Sequence, residues 1–132
     1  MSTFVDTSAL FALLDGDDEN HERAARTWQT LSDRDEDLLT TNYVLVESFA
    51  LLQNRLGLEA VRNLREIFVP LFGVFWITED VHAVAAAILL TAGKRRLSLV
   101  DCASFEAMRR SGVTRAFVFD RHFAEQGFER VP

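Results

Sequence analysis

Short β-prone runs in this chain repeatedly end in a polar or acidic residue, and apolar residues at helical spacing follow almost at once. The first case is Thr3-Phe4-Val5-Asp6-Thr7-Ser8-Ala9-Leu10, an apolar pair and an acid leading into Ala9, Leu10, Phe11, Leu13 and Leu14. Asp15 to Asn20 breaks that pattern with turn formers. From Glu19 to about Ser32, His21, Ala24, Ala25, Trp28 and Leu31 predict a second helix, and His21 is expected on its surface. Leu38-Leu39-Thr40 reads as a strand. Thr41 or Asn42 caps a helix through Tyr43, Val44, Leu45, Val46, Phe49, Ala50, Leu51 and Leu52, which is apolar nearly all round and so expected to be buried on most sides. Between Gly57 and Pro70, Leu58, Val61, Leu64, Ile67 and Phe68 mark one amphipathic helix. Gly73 to Ile77 reads as a strand, and Thr78 as the cap of a helix striped by Val81, Val84, Ala85, Ile88 and Leu89 and ended by Ala92-Gly93. Cys102 to Arg110 forms the body of the next helix, closed by Gly112. Thr114 to Phe119 is a β-run, Arg121 to Gln126 a short helical stretch, and Phe128 to Val131 a last strand. Strands alternating with helices argue a three-layer α/β sandwich on a parallel sheet.

Length and charge narrow the class. The 132 residues fit a single domain, 1–132, large enough to bury about two thirds of its unfolded surface. One cysteine, Cys102, forms no internal disulfide, and no apolar run approaches the length of a bilayer span. No basic leader precedes Asp6. These features predict a soluble cytoplasmic protein with no membrane partner. The net charge of −6 argues against a surface that grips nucleic acid all over, because phosphate affinity comes largely from Lys and Arg, but leaves room for local basic patches. Lys94-Arg95-Arg96 is the only run of three basic residues.

Four acids stand out by position. Asp6 and Asp120 end β-runs, while Glu47 and Asp101 lie in what the pattern makes the first turns of helices. In an open α/β sheet, ligands bind in the crevice outside the carboxyl ends of the strands. Each acid also has a structural reading. Asp6 with Thr7 and Ser8 caps the following helix, Ser98 and Asp101 have capping-box spacing, and Asp120 caps the stretch after it. Glu47 interrupts an apolar helix, where it either lies on the one exposed strip or, if buried, must be paired or coordinating. If the four converge, two carboxylates about 4 Å apart repel by roughly 4 kcal/mol at an effective dielectric near 20, so the cluster requires cations. Carboxylates, hydroxyls and water favour Mg²⁺ or Mn²⁺ over zinc. Such a site activates water and stabilises a leaving oxygen in phosphoryl chemistry. The acids of the Asp15 to Asn20 loop lack the ligand spacing of a calcium loop.

Val5-Asp6-Thr7-Ser8-Ala9-Leu10, Asn42-Tyr43-Val44-Leu45-Val46-Glu47, Leu97-Ser98-Leu99-Val100-Asp101 and Phe119-Asp120-Arg121-His122-Phe123 together resemble a PIN domain, and more narrowly the VapC-type ribonuclease toxins of toxin-antitoxin pairs. The resemblance spans essentially the whole chain, with its motifs in order. It implies a three-layer α/β/α sandwich with a mostly parallel five-stranded sheet. It implies an Mg²⁺- or Mn²⁺-dependent endoribonuclease whose metal site is Asp6, Glu47, Asp101 and Asp120, a cognate antitoxin that inhibits it, and a homodimer. On that basis Asp6 and Asp101 bind the main metal directly, Glu47 directly or through water, and Asp120 completes the cluster. Thr7 or Ser8 orients a carboxylate or a water, as does Ser98 for Asp101. Lys94, Arg95, Arg96 and Arg121 are candidate contacts to RNA phosphates. The helices of Phe11 and Trp28, with that of Leu58 to Phe68, are the candidate antitoxin groove.

Other chemistries fit less well. An Asp-nucleophile phosphatase resembles Asp-x-Asp after the first strand, and here the second place is Ser8. A phospho-accepting receiver requires paired acids at the first strand and a late lysine, whereas Asp6 stands alone and no lysine follows Lys94. The alternative from a different class is a catalytically silent PIN-like module that binds RNA or protein. An anionic cluster of four acids gives such a module nothing.

Overall fold

The computed structural model describes residues 1–132, and its five strands pair only in parallel. β1 (Ser2–Val5) leads into α1 (Thr7–Leu14) and α2 (His21–Asp33), and β2 (Asp37–Thr41) into α3 (Asn42–Arg55) and α4 (Leu58–Asn63). β3 (Phe72–Phe75) is followed by α5 (Glu79–Ala92) and α6 (Leu99–Ser111), and β4 (Arg115–Phe117) by α7 (His122–Glu125) and β5 (Glu129–Val131). The strand order is β3-β2-β1-β4-β5.

That order fixes where a ligand can enter. The chain steps outward from β1 to β2 to β3, then returns to the other side of β1 to lay down β4 and β5. Right-handed crossovers therefore send α5, α6 and α7 to the face opposite α1 to α4. Aromatic contacts agree: Phe123 of α7 packs 4.9 Å from Phe105 of α6 and 6.1 Å from Phe4, whereas Trp28 of α2 packs 5.1 Å from Phe68 and 6.4 Å from Phe72. The direction of winding reverses between β1 and β4. At such a switch point the two flanking connections leave on opposite faces and open a crevice at the strand tips.

The strand ends differ from the sequence pattern for a common reason: each stops where its neighbour turns into a helix. β2 ends at Thr41, whose hydroxyl caps α3 by accepting from Val44 N, so β3 has no ladder partner past Phe75. Ile77 N donates instead to the Asn42 side chain at 2.6 Å. β4 likewise stops at Phe117, because β1 has ended.

Two helices also depart from expectation. The amphipathic run after Gly57 is not one α-helix. α4 gives way to a π turn over Leu64–Phe68, in which Val69 N donates to Leu64 O, and then to a 3-10 turn around Pro70. Proline has no N–H to donate and its ring crowds the carbonyl four residues back, so the winding changes there. α3 is not buried on most sides: only Val44, Ser48 and Leu52 are buried, and Val46 is 70% exposed. A helix in an outer layer has one face on the core, so Tyr43 and Phe49 pack at its margin and Val46 lies outside.

Twenty-five buried residues form the hydrophobic core, with Phe4, Phe105, Phe117 and Phe123 among its largest members. No helix is long and apolar enough to cross a membrane. Phe123 joins β1, α6 and the segment before β5 through Phe4, Phe105 and Phe128. Phe123→Ala should lower the unfolding free energy by about 3–5 kcal/mol, the usual cost of emptying a buried aromatic site. Urea denaturation checks this, and a loss below about 1 kcal/mol would mean that the core closes over the gap.

Candidate active site

The crevice between β1 and β4 holds the four acids as a chain of neighbours. Asp6 lies within the electrostatic reach of Glu47 and Asp101, and Asp101 within that of Asp120 and His122.

Asp6 occupies the tip of β1, where the ladder still takes its N–H: Asp6 N donates to Phe117 O at 3.1 Å. It is also the N-cap of α1, in extended conformation, with Oδ2 accepting from Ser8 N at 3.1 Å and Ser8 Oγ at 2.8 Å. Oδ2 is thereby committed to structure, while Oδ1 accepts no hydrogen bond from the chain. Asp101 repeats the arrangement at the start of α6, in a complete capping box: Ser98 N donates to Asp101 Oδ2 at 3.2 Å and Asp101 N to Ser98 Oγ at 3.0 Å. Asp120 repeats it again, accepting from His122 N through Oδ1 at 2.7 Å. Capping and chemistry are thus not competing roles for these residues, because one carboxylate oxygen is spent on the backbone and the other is left for a ligand.

Glu47 is placed differently. It lies one turn further into α3 than the first turn expected of it. Ser48 Oγ donates to Thr7 Oγ1 at 3.0 Å and Thr7 Oγ1 to Val44 O at 3.4 Å, which holds α3 against α1 and brings the half-buried Glu47 towards Asp6. Thr7 therefore ties helices together, and it is Ser8 whose hydroxyl meets a site carboxylate. Ser8 Oγ also accepts from Phe119 N at 3.1 Å, linking the β1 tip to the chain just past β4.

Sequence reasoning assigned no role to His122. Ligand atoms of Asp101, Asp120 and His122 all lie within 4.8 Å of one another. Its imidazole stands 3.9 Å from Asp120 Oδ1 through Nε2 and 3.6 Å from Glu125 Oε2 through Nδ1. The signal was present as Asp120-x-His122, hidden by the habit of reading a short terminal helix as a cap alone. Of the basic candidates, Lys94 pairs with Glu125 at 3.5 Å and Arg121 with the same carboxylate at 3.7 Å, which gathers both beside His122. Arg95 and Arg96 are exposed in the turn before α6 and pair with no acid. Neither isolated histidine reaches the cluster through its hydrogen bonds: His21 Nδ1 bonds to Ala12 O at 2.8 Å, and His82 to the Tyr43 hydroxyl.

Electrostatics shows what this proximity costs. Asp6 is 5% exposed, and burial pushes its carboxyl up to about 7 against the Ser8 hydrogen bonds, with the charges of Asp101 and Glu47 adding to the rise. Burial likewise raises Asp101 above the usual carboxylate range, helped by Asp120 and opposed by Ser98 and His122. Free carboxylate oxygens, a neighbouring imidazole and unrelieved negative charge are the donor set of a divalent cation.

A chain with this fold and site belongs to the PIN domain family, whose pattern matches residues 3–129. Among its relatives is the "23S rRNA-specific endonuclease VapC20" of Mycobacterium tuberculosis strains CDC 1551 and H37Rv. It is 34% identical over 129 residues, which is 97% of this chain and 96% of the relative. The crystal structure of Mycobacterium tuberculosis VapC20, described as a sarcin-ricin loop cleaving toxin, superposes with a TM-score of 0.86 at 33% identity over 96% of both chains. FitAcB from Neisseria gonorrhoeae shares the fold, with a TM-score of 0.71 at 17% identity over 98% of this chain and 96% of that one.

Because the folded-state value of Asp6 lies above the ordinary 3.8, folding takes up a proton there. Its contribution is harmless below about pH 4, where the carboxyl is neutral folded or unfolded, and turns destabilising as pH rises to about 7. Relative to the native protein in EDTA, Asp6→Asn should gain stability across that window, by up to about 4 kcal/mol. Urea denaturation at pH 4 to 8 measures it, and a difference that does not change with pH would contradict the assignment.

Proposed function

We propose that this protein is an Mg²⁺- or Mn²⁺-dependent endoribonuclease, the toxin of a toxin-antitoxin pair, cleaving RNA at the cluster of Asp6, Glu47, Asp101 and Asp120. The observation that carries the reading is the convergence of these acids at the β1/β4 switch point with one oxygen of Asp6, Asp101 and Asp120 left free. The relative named as a 23S rRNA-specific endonuclease supports the substrate class and makes 23S rRNA the first RNA to try.

Asp6 and Asp101 would hold the cation, with Glu47 and Asp120 completing the acidic set and His122 beside Asp101 and Asp120. His122 adds an imidazole beside a set otherwise of carboxylate oxygens, the donors that suit Mg²⁺ and Mn²⁺. When bound, the cation supplies Lewis acidity towards a phosphoryl oxygen and lowers the pKa of an attacking water. Ser8 and Ser98 keep Asp6 and Asp101 in register. Lys94 and Arg121, beside Glu125, receive flanking phosphates, joined by Arg95 and Arg96.

Exposed apolar side chains favour two protein partners. Leu58, Ile67 and Leu71, at 64%, 57% and 56% exposure on α4 and the turns that follow it, suit an amphipathic antitoxin segment laid beside α1, α2 and α4. Val46 and Trp76, at 70% and 67%, suit a homodimer contact. The silent binding module is the weaker reading, because uncompensated carboxylates repel RNA.

Purified protein incubated with labelled 23S rRNA should cleave it in Mn²⁺ or Mg²⁺ and leave it intact in EDTA. Asp101→Asn should lower the rate by more than about a hundredfold, since such a site supplies several kcal/mol of transition-state stabilisation. Cleavage that persists in EDTA, or equally in the variant, would defeat the proposal.

A further inference from the structure

Away from the acidic edge, one side of α2 concentrates positive charge in a protein of net charge −6. Arg23, Arg26, Thr30 and Arg34 follow at intervals of three, four and four, so they share one side of the helix over about 16 Å of its length. Ala24 and Leu31 face the core instead. Arg130 of the edge strand β5 is exposed as well. Whereas Lys94, Arg110, Arg115 and Arg121 pair with acids, Arg23, Arg26, Arg34 and Arg130 have no carboxylate within ion-pair distance.

Both ends of this stripe are anchored. At one, the Arg23 guanidinium lies 5.5 Å from the centre of the Phe119 ring and Arg130 Nη1 donates to Phe119 O at 3.4 Å. Phe119 immediately precedes Asp120, and its N–H reaches Ser8, which holds Asp6. At the other end Arg26, Thr30, Arg34 and Arg115 line a cavity of about 230 Å³ beside the apolar Leu31 and Val131. Arg115 is held between Glu36 at 3.7 Å and Glu129 at 3.8 Å, and its buried Nε has no hydrogen-bond acceptor.

Guanidinium groups suit phosphate oxygens, and threonine hydroxyls add donors. We infer that α2 and β5 form a phosphate track along which the RNA backbone runs from the acidic edge to the cavity of Arg26, Arg34 and Arg115. The inference rests on the ribonuclease reading and adds to it a contact surface separate from Lys94 to Arg96. An acidic protein segment would meet the same charges, but the track begins beside the residues that act on a phosphodiester and its cations are strung out along a line.

The test is fluorescence anisotropy of a labelled RNA stem-loop in EDTA across a KCl series, with cleavage in Mn²⁺ run in parallel. Arg26→Glu/Arg34→Glu should weaken binding by roughly tenfold or more at low salt and reduce the salt slope by about 1.4 to 1.8, the value of two phosphate contacts. Arg26→Gln/Arg34→Gln should show a smaller loss, and Arg26→Lys/Arg34→Lys should keep binding within about threefold. Melting curves check that each variant folds, and the neutral pair serves if charge reversal does not. Affinity and slope unchanged by both the reversed and the neutral pair would overturn the track, as would loss of antitoxin binding with RNA affinity intact. If the native protein fails to cleave yet its RNA binding still depends on Arg26 and Arg34, the ribonuclease reading fails and the track stands.

Discussion

Mutual repulsion among carboxylates confined to a partly dry crevice is the condition that the rest of the site has to meet. Acids this close do not stay ionised side by side without help, and the fold supplies it from the backbone. Asp6, Asp101 and Asp120 each accept from an N–H at the start of a helical segment. Positive ends of peptide dipoles thereby offset part of the negative charge. At Asp6 burial outweighs that help and, with the charges of Asp101 and Glu47, pushes the carboxyl up to about 7. A cation beside it would offset both.

Much of this was legible in the residues before any coordinates. Alternating strand and helix patterns gave the parallel α/β class, and the capping box of Ser98 and Asp101 formed as its spacing requires. Strand-then-acid at Asp6 and Asp120 was legible too, because a strand tip delivers its next residue to the carboxyl edge. The less legible parts were decided by tertiary context. Periodicity reports that α3 is apolar all round but not that only one of its sides meets the core. Pro70 is visible, yet whether it breaks the helix or widens it into a π turn depends on what the preceding turn packs against. Strand lengths at Phe75 and Phe117 were set by where neighbouring strands ended, a property of pairing rather than of local sequence. His122 joined the cluster only once α7 folded back beside Asp101.

Charge is distributed unevenly. A net charge of −6 conceals a carboxylate edge at the strand tips and an arginine-rich side along α2. Apolar exposure lies elsewhere, on α3, after β3, around the π turn and on α5 at Leu90. The carboxylate edge and the arginine side of α2 meet at Phe119, which stacks under Arg23 and directly precedes Asp120.

The Ser8 hydroxyl gives this arrangement an unexpected stiffness. It donates to Asp6 and accepts from Phe119 N, so a single oxygen bridges the tips of two adjacent strands across the mouth of the crevice. Widening the mouth would break the bond from Phe119 N to Ser8 Oγ and that from Asp6 N to Phe117 O together. The spacing of the β1 and β4 tips, and with it that of Asp6 and Phe119, is thereby held by hydrogen bonds within the fold.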